Sequence, residues 1–210
     1  MKTIKQKIKL QKEFYMQLNN DKNCYCKRKQ KRICQGDIIR ELNLTISSRI
    51  GNVVDFSLTP SFSYGVILSQ ECDIYQHYNR LKKNLEETDE DKKSDDQVIE
   101  TLLVCPAFPL EQFLLGEHIE GKKMTICSSK KMEKIKDNDI HNRFHYLPKL
   151  EGRLPELIVD FKRFYTIPLG IFDGNLEKFY ITSIKDLYRE RLSQRFTNYL
   201  GRIALPNGEI

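Results

Sequence analysis

The sequence of 210 residues has no tryptophan, only six cysteines and no long hydrophobic run. A transmembrane helix needs about 20 consecutive apolar residues, and no segment approaches that length. Six cysteines are too few for a secreted scaffold held together by disulfides. The first 15 residues contain five lysines and no apolar block, which is not the pattern of a secretory signal. We therefore predict a cytoplasmic protein with reduced thiols and no membrane partner.

Motifs for metals and cofactors are equally scarce. Cys24, Cys26 and Cys34 lie within eleven residues, but their spacing is not the C-x2-C of a zinc finger. No second cysteine pair follows at finger distance. The sequence predicts no cofactor and no metal site. The alternative is zinc bound by these three thiols with imidazoles from His141 and His145, because the basic residues around Cys24 and Cys26 favour thiolate.

Positive charge is concentrated at the N-terminus. Residues 1–33 contain eleven Lys and Arg against two acids, a net charge of +9, whereas the whole chain carries only +6. The opposite sign dominates Glu86–Glu100, which has eight acids, two lysines and no aromatic residue. We predict a basic arm over 1–33 and a single α+β domain over 34–210, with an acidic mobile loop at 86–97.

The densest part of the basic arm suggests a nucleic-acid partner. Clustered cations neutralise phosphates and release counterions, which gives salt-dependent binding. The alternative is a solvated tail that binds nothing. The residues predicted to contact nucleic acid are Lys27, Arg28, Lys29, Lys31 and Arg32.

Short segments rich in β-branched and aromatic residues dominate the rest of the chain. Turns that contain glycine or proline separate them, and no βαβ alternation predicts a doubly wound sheet. The pattern predicts a small, twisted antiparallel β-barrel with inserted helices and a long C-terminal helix. Predicted strands cover 38–44, 53–58, 63–70, 98–105, 143–147, 157–161, 164–168 and 178–182, and predicted helices cover 3–18, 74–85, 108–115 and 184–203.

The last of these helices has the clearest pattern. Its apolar stripe runs over five turns, with Phe196 at the centre. Ser183 and Asp186 resemble a capping box at its start, and Pro206 ends it. Residues 122–142, by contrast, are polar and poorly patterned.

The peptide from Leu68 to Ile74 carries the first candidate site. It lies where a buried strand ends and a helix begins, a position at which partial positive charge lowers a thiol pKa and binds anions. Cys72 is a candidate nucleophile, and Asp73 is a candidate general base or helix cap. The alternative is a buried cysteine beside a capping aspartate.

A second candidate site lies on the predicted strands 143–147 and 157–161. Arg143 and His145 share one strand face, where an arginine can hold a phosphate and a histidine can move a proton. Asp160 stands inside an apolar strand and needs a partner, either an arginine or a catalytic group that it orients. The predicted catalytic set is Cys72, Asp73, Arg143, His145 and Asp160, converging in one cleft.

Several of these segments resemble known proteins. The peptide Gly65–Asp73, the strand Arg143–Pro148 and the helix Tyr188–Pro206 resemble an uncharacterised bacterial group that carries Ser-(Gln or His)-x-Cys-Asp. More distantly, Gly36-Asp37 and the segment Leu157–Ile171 resemble the MazF/PemK/Kid toxin family. That second resemblance implies a small SH3-like barrel that ends in a helix and cuts RNA without a metal.

Three functions follow as hypotheses. The first is a toxin-like, nucleic-acid-binding barrel that cleaves RNA, with Arg143 neutralising phosphate and His145 or Asp73 moving the proton; RNA is expected over DNA. The second is a non-catalytic subunit of a bacterial multi-protein assembly, for example in anti-phage defence, that docks through its C-terminal helix and basic arm. The third is a thiol enzyme that depends on Cys72.

Overall fold

The computed structural model describes residues 24–28, 31–40, 46–50, 54–58, 62–89, 93–138 and 142–202. The predicted helix over 3–18 lies outside these residues, as does Lys29. The strands are β1 (Tyr25–Cys26), β2 (Asp37–Arg40), β3 (Ile46–Ile50), β4 (Val54–Leu58), β5 (Tyr64–Ile67), β6 (Thr101–Pro109), β7 (Phe144–Leu147), β8 (Leu157–Asp160), β9 (Tyr165–Pro168) and β10 (Tyr180–Ile184). The α-helices are α1 (Glu71–Glu86), α2 (Leu110–Leu115), α3 (Ser129–Lys136), α4 (Leu176–Phe179) and α5 (Asp186–Leu200).

These elements form an antiparallel sheet that is curled into a half-barrel, with several helices around it, and the predicted α+β class is confirmed. Along the sheet the strands follow the order β1, β10, β2, β5, β6, β8, β7. The nine-residue β6 pairs with β5 on one edge, and with β8 and then β9 on the other. The hairpin β3–β4 is a separate two-stranded sheet.

The prediction that a strand stops at Pro106 is wrong, because β6 continues through this proline. Leu68 N–H donates to the Leu103 carbonyl, so the alternation of an antiparallel ladder makes the Pro106–Gly65 pair a non-hydrogen-bonded one. The nitrogen of Pro106 therefore faces the other edge of β6. On that edge Pro106 lies opposite the gap between β8 and β9. Its missing N–H therefore removes no hydrogen bond between strands.

Gly65 makes room for the close packing at this point. A Cβ atom on Gly65 would lie 2.8 Å from Val104 Cγ1 and 3.1 Å from the ring of Phe62. Any larger residue would force these buried side chains apart.

The helices cover separate clusters of the core. Leu192, Phe196 and Tyr199 of α5 are buried with Phe161 and residues from the central strands. Ile74 of α1 belongs to a second cluster, and α2 and α3 close a third over β7 and β8. No helix of the described residues has the length and apolar character to cross a membrane.

Two local predictions about helices need correction. The unpatterned stretch 122–142 contains α3, whose start is capped by Ser128 and whose Met132 and Ile135 are buried three residues apart. At the other end of the chain, α5 begins at Asp186, after Lys185, and Ser183 lies in β10 and does not cap it. The Ser183 hydroxyl donates instead to the buried carboxylate of Asp37.

Candidate functional site

Cys72 and Asp73 lie at the junction of β5 and α1, as the sequence predicts. Cys72 is exposed at the second position of the helix. Its Sγ lies 3.4 Å from Asp73 Oδ1 and 3.7 Å from Gln70 Oε1. Asp73 belongs to the first turn, and the N-cap position is that of Gln70. The thiol thus contacts an amide and a carboxylate, whereas His77 on the same helix is buried and accepts a hydrogen bond from Ile99 N–H.

Arg143 and Asp160 form a bidentate ion pair. Arg143 donates through Nε to Asp160 Oδ1 at 2.7 Å and through Nη2 to Oδ2 at 2.6 Å. The Nε of Arg163 stands 3.5 Å from the same carboxylate, which is 0% exposed. The sequence allowed two kinds of partner for Asp160, an arginine or a catalytic group. In the structure the partner is an arginine.

His145 is buried on the neighbouring strand β7. Burial, together with the charges of Arg195 and Arg191, holds its pKa well below the usual range. The imidazole is therefore neutral, and it packs beside the ring of Phe161.

The predicted catalytic residues fall into two groups. His145 lies on β7, Asp160 lies on β8, and Arg143 directly precedes β7. Cys72 and Asp73, by contrast, follow β5. Two strands, β6 and β8, lie between β5 and β7 in the sheet. Within the described residues, the hydrogen bonds and ion pairs of one group do not reach the other.

The basic segment is part of the fold. Tyr25 and Cys26 pair with β10, and Ile33 is completely buried. The packed structure therefore includes residues on the N-terminal side of the predicted boundary at 33 and 34. The cations of this segment also differ from one another. Arg32 turns to α1, where its Nη2 lies 2.7 Å from Glu71 Oε1 and its guanidinium lies over the ring of Tyr75.

Lys27, Arg28 and Lys31 line a cavity of about 630 Å3. A second cavity of about 710 Å3 shares three of its lining residues, namely Arg153, Tyr180 and Ile181. We call the two together the basic cleft. Its other lining residues are Arg40, Ser63, Tyr64, Gly152, Gly174, Leu176 and Glu177.

Strand pairing brings distant residues to the basic cleft. Arg40 at the end of β2 stands opposite Tyr64 on β5, and Tyr180 on β10 stands opposite the neighbouring Ile39. Arg153 comes from the turn before β8. No local motif connects these residues in the sequence, so sequence analysis missed Arg40, Arg153 and both tyrosines.

Positive charge dominates the lining of the basic cleft. Among the lining residues that the structure describes, five cations face one acid, Glu177. Arg28 forms ion pairs with two carboxylates: its guanidinium lies 3.8 Å from Glu71 and 4.0 Å from Asp37. The remaining four cations form no ion pair with a described residue, and they are Lys27, Lys31, Arg40 and Arg153.

Beneath the basic cleft lies the buried carboxylate of Asp37. It accepts hydrogen bonds from the Ser183 hydroxyl at 2.6 Å and from Cys34 N–H at 2.7 Å. Burial raises the pKa of Asp37 to about 6, although the Ser183 hydrogen bond and the charge of Arg28 act in the opposite direction. The Ser183 oxygen is also 2.9 Å from the Tyr180 hydroxyl, so a chain of hydrogen bonds connects Asp37 to the lining of the cleft.

The raised pKa of Asp37 predicts a pH-dependent stability. A carboxyl with a pKa of about 6 in the folded state and 3.8 unfolded binds its proton more tightly when folded. Below pH 4 this group therefore contributes about 3 kcal/mol to the free energy of unfolding. The contribution is lost as the pH rises through 6. We expect urea unfolding to show this decline as the difference between the wild type and Asp37→Asn. A difference that grows with pH instead would mean that the hydrogen bonds to the carboxylate outweigh its burial.

The three cysteines considered for zinc do not converge. Cys24 and Cys34 are buried, and the Cys34 thiol donates to the Arg32 carbonyl at 3.7 Å. Among the residues that the structure describes, no group of three or more His, Cys, Asp and Glu side chains is arranged to hold a metal ion.

No protein-family model, curated protein or solved structure compared with this chain matches it. The resemblance to the MazF/PemK/Kid toxins and to the bacterial group therefore stays a prediction. Any functional conclusion has to come from the chemistry of the basic cleft itself.

Proposed function

We propose that this protein binds single-stranded nucleic acid, RNA in preference to DNA, along the basic cleft in the cytoplasm. The observation that carries the proposal is the lining of the cleft, whose described residues include five cations and two tyrosines beside a single acid. Proteins that bind single strands combine a positively charged groove with aromatic side chains on which bases stack.

The four cations that form no ion pair with a described residue are the candidate phosphate contacts. Arg40 lies in one cavity, Lys27 and Lys31 lie in the other, and Arg153 belongs to both. Each cavity therefore has cations that can contact a sugar–phosphate backbone. Such contacts position a strand and carry no sequence information.

Two aromatic rings, those of Tyr64 and Tyr180, lie among these cations. A base can stack on a tyrosine only where it is not already stacked in a duplex, so the rings favour a single strand over a double helix. Stacking on one aromatic ring contributes about 1–3 kcal/mol per base. Because Tyr180 is fixed by hydrogen bonds to Ser183 and to Arg28 N–H, its ring keeps one orientation.

Binding should weaken steeply with salt. Each neutralised phosphate of a single strand contributes a slope of about −0.7 to log K against log salt, so four contacts predict a slope of about −2.8. Fluorescence anisotropy with a labelled 12-nucleotide RNA in a salt series measures it. We expect Arg153→Gln to weaken binding and to flatten the slope by about 0.7.

Lys130→Gln provides the matched control. Lys130 is an exposed cation of α3, which packs against β7 at the opposite edge of the sheet from β1. Its loss should leave the slope unchanged. Equal effects of Lys130→Gln and Arg153→Gln would show that the chain attracts nucleic acid only through its net charge. No binding at low salt would contradict the proposed function directly.

The SH3-like, MazF/PemK-like interpretation of the half-barrel also remains a proposal, and the curled antiparallel sheet supports it. RNA cleavage by the predicted catalytic set has less support. The guanidinium of Arg143 is already paired with the carboxylate of Asp160, and His145 is buried and neutral. We therefore place the nucleic acid in the basic cleft and not beside these residues.

A further inference from the structure

The hydroxyl group of Tyr180 is held in a defined orientation where the two cavities of the basic cleft meet. Its oxygen accepts a hydrogen bond from Arg28 N–H at 3.2 Å and lies 2.9 Å from Ser183 Oγ. Ser183 in turn is hydrogen-bonded to Asp37 at 2.6 Å. Tyr180 itself is only partly buried, and it lines both cavities of the basic cleft.

The protons along this chain can be assigned by counting donors. An ionised Asp37 carboxylate has no proton, so Ser183 donates its single proton to Asp37. Ser183 can then only accept from Tyr180, which donates its own proton inward. The Tyr180 oxygen accepts from Arg28 N–H with one lone pair, and no described residue uses the other. The cleft therefore presents a fixed hydrogen-bond acceptor.

An acceptor in this position selects for a ligand group that donates. The cations beside Tyr180 would hold the sugar–phosphate backbone next to it, so the group within reach belongs to the sugar. Ribose carries a 2′-hydroxyl that can donate a hydrogen bond, whereas deoxyribose carries none. The phosphates and the bases are otherwise similar in the two polymers.

Resting on the proposed function, we propose that Tyr180 recognises the ribose 2′-hydroxyl and gives the basic cleft its preference for RNA over DNA. Ser183 and Asp37 act as positioning residues, since they fix the direction of the tyrosine proton. The contribution of one hydrogen bond corresponds to roughly a two- to tenfold difference in affinity.

The test compares three 12-nucleotide single strands of one sequence at pH 7.5, namely RNA, DNA and 2′-fluoro RNA. The 2′-fluoro strand keeps an RNA-like sugar and lacks only the donor. The wild type should bind RNA roughly two- to tenfold more tightly than either of the others. Tyr180→Phe removes the acceptor, so it should bind RNA and DNA with equal affinity; the freed ring affects both polymers alike and does not alter that ratio.

Tyr75→Phe is the matched control, because Tyr75 is an exposed tyrosine of α1 outside the basic cleft. It should keep the RNA preference. If Tyr180→Phe does not fold, the 2′-fluoro strand on the wild type still decides. Equal affinity for RNA and 2′-fluoro RNA, or an RNA preference that survives in folded Tyr180→Phe, overturns the role of Tyr180 alone. If the wild type binds none of the three strands, the proposed function is overturned instead.

Discussion

Replacing Arg143 with methionine should lower the free energy of unfolding by about 3 kcal/mol. The change removes both hydrogen bonds of the bidentate pair and leaves the Asp160 carboxylate in the interior. Among the described residues, Arg163 at 3.5 Å and the Lys162 N–H at 3.1 Å then remain close to the charge. A buried carboxylate that loses its main partner is costly because the interior solvates it poorly. Urea unfolding at neutral pH measures the loss.

Two further variants test whether the loss comes from the unpaired buried charge. Lys149→Met breaks an ion pair with Glu151 that is exposed to solvent, and it should change stability by less than about 1 kcal/mol. The double variant Arg143→Met with Asp160→Leu removes both charges and should recover most of the loss, because no unpaired charge remains. A small effect of Arg143→Met alone would show that Arg163 is sufficient to stabilise the carboxylate.

Local patterns predicted most of the regular structure correctly. The predicted strand at 157–161 corresponds to β8, and the junction of a buried strand and a helix at Cys72 corresponds to the end of β5 and the start of α1. In both cases neighbouring residues determine the outcome. An apolar run fits a buried strand, and apolar residues three and four apart fit a helix face.

Other elements depend on residues far away in the sequence. The strand β1 has only two residues and exists because Tyr25 and Cys26 pair with β10. Pro106 stays within β6 because its nitrogen meets the gap between two partner strands. Ser183 looked like a helix cap, but a buried carboxylate 146 positions away binds its hydroxyl. Tertiary pairing overrides local propensity in each case.

The candidate site divides in the same way. Lys27, Arg28 and Lys31 could be predicted because their charges are adjacent in the sequence. Arg153 and Tyr180 could not, since only the pairing of β10 with β2, and of β2 with β5, builds the cleft that they line. The predicted meeting of Cys72 with Arg143 required the strand order, which no local pattern contains.

The packing of α5 leads to the second large expected effect. Phe196→Ala should lower the free energy of unfolding by about 3–5 kcal/mol, because it removes most of a buried aromatic side chain and leaves a cavity. Phe196 is only 7% exposed. Its ring centroid lies 5.5 Å from that of Phe161 and 5.7 Å from that of Phe164, both in edge-to-face arrangements. Its loss therefore affects the core that joins α5 to the sheet.

Asn198→Ala is the appropriate control, because Asn198 is exposed on the same helix and alanine has the higher helix propensity. It should change stability by no more than about 0.5 kcal/mol. Thermal unfolding of both variants also separates the core role of α5 from the hypothesis that this helix is a docking surface. If Phe196→Ala kept the wild-type melting temperature, the ring would contribute nothing to folding, and the docking hypothesis would be favoured. A loss of several kcal/mol instead shows that the apolar stripe stabilises this protein's own core.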